Sequence, residues 1–312
     1  MPILGIETSC DETACGIVDS DGHILANVIA SQIETHAPYG GIIPELASRA
    51  HIVNIHKVVD QAIYESKIKI GDIEAIAVTN GPGLAGSLLV GLNFAKGLSA
   101  SLGVPLIGVN HLEGHVSACF IEDEKFNFLR NDIFPSICLI ISGGHTELVL
   151  MKDYDSFAML GQTRDDAVGE AFDKVSRILG LGYPGGPIIE NWAKRSMKKN
   201  YKLPRSWLKD DSEFSFSGLK TATKNLAYEK IYRNNLSQDQ IALEISEISN
   251  AFQESVLDVL LYKSIAIAKK YDCKNILVSG GVAANGYLRS NFEKNDEINA
   301  CLLYTSPSPR DS

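Results

Sequence analysis

The sequence predicts an α/β protein of two lobes built on an internal duplication, and three patterns predict it. Residues 3–7, 14–18 and 24–29 read as a meander of three strands, with Asp21-Gly22 as a hairpin signal before the last. Further along the pattern returns. Residues 137–141 are apolar, Ser142-Gly143-Gly144-His145 is a turn, and 147–151 resumes the strand. Between the two copies the chain alternates strand (73–78), helix (83–102) and strand (105–109), as layered α/β folds do.

The remaining elements follow from periodicity. Ile245, Ile248, Phe252, Val256, Val259 and Leu260 recur at steps of three and four, which predicts a long helix over 241–271. A strand over 276–278 follows, closed by Ser279-Gly280-Gly281. Polar and charged residues interrupt the pattern over 122–134, so the lobes are expected at 1–132 and 133–300.

Composition narrows the function. With 312 residues, 45% of them hydrophobic, the chain is long enough for a sizeable core. No apolar run approaches the roughly 18 residues a membrane span needs, so a cytoplasmic protein with no membrane partner is expected. The six cysteines are scattered without a Cys-x-x-Cys pair, which argues against a zinc ribbon or a disulfide framework. A net charge of -9 argues against a chain that grips nucleic acid over its whole face, since phosphate contacts need clustered Lys and Arg.

Three turns at strand ends can bring backbone N–H groups to a phosphate or nucleotide: residues 7–13, Ser142 to Thr146 with Gly143 and Gly144, and Ser279 to Asn285. Residues 81–87 lack the Gly-Lys-Ser/Thr ending of a phosphate loop. Gly86, Gly91, Ala95 and Gly97 there read instead as close helix packing. His111 and His115 stand at i and i+4, on one helical face, and suit a shared metal. A zinc peptidase of the His-Glu-x-x-His type would need a glutamate where Leu112 stands, whereas Glu113 lies two residues past His111, about 200° round a helix from it.

Two charged stretches stay open at this level. Asp166, Glu170 and Asp173 form a helical stripe, either a solvated acidic face or a source of one carboxylate for a ribose. Lys194, Arg195, Lys198, Lys199, Lys202, Arg205 and Lys209 form a basic run interleaved with Trp192, Tyr201 and Trp207, either a solvated face or a patch for RNA bases.

The long motifs Gly5 to Thr13, Tyr39 to Arg49, Asn110 to His115, Ser142 to Thr146, Gly169 to Lys174, Phe214 to Lys220 and Ser279 to Asn285 resemble the bacterial TsaD family. The resemblance implies a two-lobed actin-like ATPase fold. It implies transfer of a threonylcarbamoyl group from threonylcarbamoyl-AMP to N6 of the adenosine beside the anticodon, in tRNAs reading codons that begin with A. It implies one metal, Fe(II) or Zn(II), on His111 and His115. It implies a substrate site of Ile140, Ile141, Ser142, Gly143, Gly144, Asp173, Gly186, Glu190 and Asn285, where the family has Asp in place of Glu190. Its implied partners are tRNA, a smaller paralogous TsaB-like subunit and a small TsaE-like P-loop ATPase. Two other readings compete: a metallopeptidase, and an inactive nucleotide-binding scaffold.

The C-terminus departs from that pattern. The family's Thr-Asp-Asn motif, whose aspartate is the third metal ligand, is replaced by residues 301–312. The expectation is a truncated second lobe with a foreign tail, and a metal site short of its carboxylate.

Overall fold

The computed structural model describes residues 1–120, 133–154, 156–207, 212–295 and 298–302, with backbone alone at 301–302. Lys209, most of the expected lobe junction and residues 303–312 of the expected tail lie outside them. The chain divides into two units, one running from Met1 to Arg130 and the other from Asn131 to Ser306.

The first unit carries β1 (Ile3–Glu7), β2 (Glu12–Val18), β3 (Ile24–Ser31), α1 (Ile33–His36), α2 (Pro44–Ser66), β4 (Ala75–Gly81), α3 (Ala85–Leu102), β5 (Leu106–Asn110) and α4 (His111–Ser117). Its sheet has the order β3-β2-β1-β4-β5. The meander is antiparallel, with Ile6 opposite Cys15, and β1, β4 and β5 run parallel. Leu4, Ile6, Ile17, Ile76 and Val78 face α2 and α3 residues in one buried cluster. Gly91 of α3 lies against Thr8, where a Cβ would come within 2.3 Å of Oγ1, as close helix packing requires. Gly97 has no such neighbour.

The second unit carries β6 (Ser136–Ile141), β7 (Thr146–Asp153), β8 (Ser156–Gln162), α5 (Val168–Ile178), α6 (Gly185–Ala193), α7 (Ser217–Ala227), α8 (Gln238–Lys270), β9 (Asn275–Ser279), α9 (Gly286–Glu293) and β10 (Asn299–Leu302). Its sheet order, β10-β9-β6-β7-β8, repeats the first with the same strand directions. The duplication is therefore one of topology. Strand β10 runs through Cys301 and Leu302, two residues into the segment expected as tail.

Helix α8 shows why its residues form it. Ser237 Oγ accepts from Gln240 N (3.3 Å) and Gln240 Oε1 accepts from Ser237 N (2.9 Å), a capping box that satisfies two end groups. Ile248, Phe252, Val256 and Leu260 are fully buried, each contributing about 1.5–3 kcal/mol relative to exposure. No helix among the described residues is long and apolar enough to cross a membrane.

Candidate active site

Two clusters emerge, one in each unit, both at the carboxyl ends of parallel strands where open α/β sheets bind ligands. In the first unit Asn110, the last residue of β5, caps α4, its Oδ1 accepting from Leu112 N (2.8 Å) and Glu113 N (3.5 Å). The cap starts the helix at His111, and one turn later His115 brings its ring to 4.6 Å between centroids, edge to face. His111 Nδ1 lies 3.1 Å from Glu7 Oε2 and 3.3 Å from Ser9 Oγ. Glu7 ends β1, and it also accepts from Thr79 Oγ1 of β4 (2.5 Å) and from the Ser9 backbone N–H.

Burial alone would raise the Glu7 carboxyl, but the hydrogen bond and charge of His111, with the Ser9 and Thr79 donors, pull it down to about 2. An ionised carboxylate only accepts, so the His111 proton sits on Nδ1 and Nε2 is left as the ligand atom. Neutral imidazole with its far nitrogen held by a carboxylate is the donor set a bound zinc or iron favours. The histidine pair thus fits two ligand positions of a metal. Among the described residues no third His, Cys, Asp or Glu completes a ligand group with them. The one group of three is Asp19, Asp21 and His23 on the exposed β2–β3 turn, where Asp19 is already bonded to His23. Glu113 is exposed.

In the second unit a cleft of about 550 Å³, solvent at its mouth included, is lined by Gly143, Gly169, Phe172, Asp173, Gly186, Glu190 and Asn285 among others. Glycines build it. A Cβ on Gly169 would stand 2.7 Å from Ser142 O, and one on Gly185 would stand 2.4 Å from Phe172 O. Asp173 Oδ1 accepts from Gly185 N (2.7 Å), fixing the start of α6. Glu190 Oε1 accepts from Gly286 N (3.2 Å) and pairs with Lys194 (2.7 Å). Asn285 is buried; its Nδ2 donates to Gln253 Oε1 (2.9 Å) and its Oδ1 caps α9.

Of the expected run 140–144, only Gly143 lines the cleft. Ile140 and Ile141 have no exposed surface, because every residue of β6 is buried. Ser142 shapes the turn instead, its Oγ accepting from His145 N (3.1 Å) and Gly144 N (3.4 Å).

The acidic stripe splits, since only Asp173 reaches the cleft. Glu170 pairs with Lys174 (2.8 Å), and Asp166 pairs with Lys174 and Lys220, both at 2.6 Å. Burial would raise the Asp166 carboxyl, but the two lysines outweigh it and hold it below its usual range. Its contribution to stability is present above the usual carboxylate range and is lost as pH falls through the lowered value. Asp166→Asn is expected to cost about 2 kcal/mol in urea unfolding at neutral pH, the gap to the parent closing below about pH 4. A gap as wide at pH 3 as at pH 7 counts against this assignment.

The basic run is strapped along α8 by that helix's own carboxylates. Lys199 pairs with Glu254 (3.0 Å), and Arg205 Nε and Nη2 donate to Asp258 Oδ2 at 3.0 and 2.6 Å. Glu247 accepts from the backbone N–H of Met197, Lys198 and Asn200. Lys194 is held by Glu190, and Arg195 lies 4.6 Å over the Trp192 ring. Lys198 and Lys202 are exposed. Three of the six described cations of the run, Lys194, Lys199 and Arg205, thus already have carboxylate partners.

Sequence reasoning passed over Glu7 and Ser9 as partners of His111, and Thr79 as a donor to Glu7. A carboxylate closing the first strand of a parallel core was the available signal. It also passed over Gln253, whose contact with Asn285 depends on tertiary packing.

The family model described as tRNA N6-adenosine threonylcarbamoyltransferase matches residues 23–308. The chain belongs to this transferase family. The tRNA N6-adenosine threonylcarbamoyltransferase of Bacillus subtilis (strain 168) is 49% identical over 296 residues, 94% of this chain and 81% of that protein. A transferase rather than a metallopeptidase is therefore the favoured reading. The fold is the two-lobed actin-like one of its structural neighbours. HypF of T. kodakarensis superposes with a TM-score of 0.59 at 11% identity, covering 99% of this chain and 46% of that one. Component A of (R)-2-hydroxyglutaryl-CoA dehydratase from Acidaminococcus fermentans superposes with a TM-score of 0.52 at 14% identity, covering 98% and 97%.

Proposed function

We propose that this chain moves the threonylcarbamoyl group of threonylcarbamoyl-AMP onto N6 of the adenosine beside the anticodon, in tRNAs reading codons that begin with A. The place is the cytoplasm. The proposed partners are a smaller paralogous TsaB-like subunit and a small TsaE-like P-loop ATPase, with a separate synthase making the adenylate. The single observation that carries the reading is the histidine pair, positioned by Glu7, in a chain of this family.

The acceptor is an aromatic amine whose lone pair is delocalised into the purine, so most of the activation resides in the mixed anhydride. N6 attacks the threonylcarbamoyl carbonyl, the bond from that carbonyl to the phosphate oxygen breaks, AMP leaves, and N6 gives up a proton. Gly143, Asp173, Gly186, Glu190 and Asn285 would hold the adenylate in the second unit's cleft, the glycines by letting it approach backbone and the polar groups by orienting it. His111 and His115 would hold one Fe(II) or Zn(II), with Glu7 keeping the His111 proton on Nδ1. When bound, such an ion neutralises charge developing on a carbonyl or phosphate oxygen.

Single-turnover reaction of pre-made threonylcarbamoyl-AMP with unmodified tRNA is expected to yield one AMP per threonylcarbamoyladenosine. Cleavage of a protein substrate in the absence of nucleotide would point to the peptidase instead. Adenylate bound without transfer, partners present, would point to the scaffold.

A further inference from the structure

Behind the turn that brings Ser9 to His111 runs a buried chain of side-chain hydrogen bonds that the transfer reading does not use. Ile43 N lies 3.3 Å from His36 Nδ1, and His36 Nε2 lies 3.2 Å from Gln32 Oε1. Gln32 Nε2 lies 3.4 Å from His51 Nδ1, and His51 Nε2 lies 3.0 Å from the Cys10 carbonyl. His36 and His51 are 0% exposed and Gln32 is 2% exposed, so none of these groups can turn to water instead.

The chain has one consistent direction. A carbonyl only accepts, so His51 carries its proton on Nε2. Its Nδ1 then accepts, from the Gln32 amide and from Thr13 Oγ1 at 2.8 Å. An amide that turns its nitrogen to His51 turns its oxygen to His36, which must donate from Nε2 and accept the Ile43 N–H at Nδ1. Both rings are neutral in this arrangement. Burial pushes His51 below its usual range, against the Cys10 carbonyl and the charges of Glu7 and Asp11.

At its far end the chain grips the turn between β1 and β2. Leu84 N donates to Ser9 O (2.8 Å) and Gln32 N donates to Asp11 O (3.1 Å), so backbone bonds hold both neighbours of Cys10. His51 Nε2 at 3.0 Å, with Ser87 Oγ donating more distantly at 3.5 Å, holds the carbonyl of Cys10 itself. Ser9, one residue away, reaches His111 Nδ1 through its hydroxyl and Glu7 through its backbone N–H.

We infer that His51 is a positioning residue for His111. Its grip on the Cys10 carbonyl fixes the 8–11 turn so that Ser9 and Glu7 keep the His111 proton on Nδ1 and Nε2 ready to ligate. The inference rests on the reading of His111 as a metal ligand.

His51→Leu removes the grip, whereas His51→Gln returns an amide N–H near the place of Nε2. Co(II) titration followed by visible absorption, and 15N-histidine NMR of the metal-free protein, report on the two variants. His51→Leu is expected to lower Co(II) affinity about tenfold or more, the scale on which outer partners of ligating histidines act, with His51→Gln within about threefold of the parent. The His111 ring is expected as the Nδ1–H tautomer in the parent and His51→Gln, and as a mixture of tautomers in His51→Leu. If His51 only fills space, folded His51→Leu keeps both the parent's Co(II) affinity and its His111 tautomer, and the inference is overturned. If His51→Leu does not fold, Gln32→Met, which removes the amide that aligns His51, reads the same two signals, and parental values there overturn it equally. Should the parent bind no Co(II) that His111→Ala removes, the metal reading fails. The His111 tautomer in His51→Leu then decides the positioning role alone.

Discussion

Replacing His111 with alanine is expected to abolish binding of one equivalent of Co(II) or Zn(II) and to slow single-turnover transfer from pre-made threonylcarbamoyl-AMP by about a thousandfold. The size follows from the several kcal/mol of charge stabilisation that a bound cation supplies to a transition state, each 1.4 kcal/mol being about tenfold in rate. His115→Ala should behave alike, since the rings lie 4.6 Å apart and share one helical face. Glu7→Gln should cost less. Its amide oxygen can still accept the His111 proton at Nδ1, but without charge, so affinity is expected to fall about ten- to a hundredfold. Stability separates these effects from misfolding, because the Asn110 cap and the α4 backbone remain. Transfer by His111→Ala at the parental single-turnover rate would refute a metal on this pair.

Much of this arrangement was legible beforehand, for reasons particular residues make plain. The duplicated meander showed because β1–β3 and β6–β7 repeat one alternation around polar turns, and the two sheets repeat one strand order. The histidine pair showed because a helix places i and i+4 together whatever surrounds it. The third strand of the second meander, β8, went unread: it is a half-exposed edge strand whose alternation Gly161 interrupts. Glu7 beside His111 went unread for a different reason. Their contact exists because β1, β4 and β5 lie side by side, a matter of sheet order that local pattern does not express. The basic run was visible as a reversal of charge sign, yet its neutralisers Glu254 and Asp258 sit on a helix much later in the chain.

The cleft of the second unit makes the other large prediction, through two glycines with opposite surroundings. Gly280 has φ 89° and ψ 164°, a region essentially closed to side chains, and a Cβ there would stand 2.4 Å from Ile141 O. Both strands meeting at that point are wholly buried, so their backbone cannot yield cheaply. Gly280→Ala is expected to destabilise the protein by about 3–5 kcal/mol, backbone strain and the clash adding. Gly186 is the contrast. A Cβ there meets nothing within 4 Å, and the residue sits in the first turn of α6 on the cleft wall. Alanine is the better helix former, so Gly186→Ala should leave the unfolding midpoint unchanged or raise it slightly. The added methyl projects where the adenylate is proposed to lie, so binding of a non-hydrolysable threonylcarbamoyl-AMP analogue should weaken tenfold or more, about 1.4 kcal/mol. Calorimetric titration of the analogue and urea unfolding of both variants check the pair. If Gly186→Ala binds the analogue as the parent does, the adenylate does not occupy this wall, and Asp173, Glu190 and Asn285 lose their proposed ligand with it.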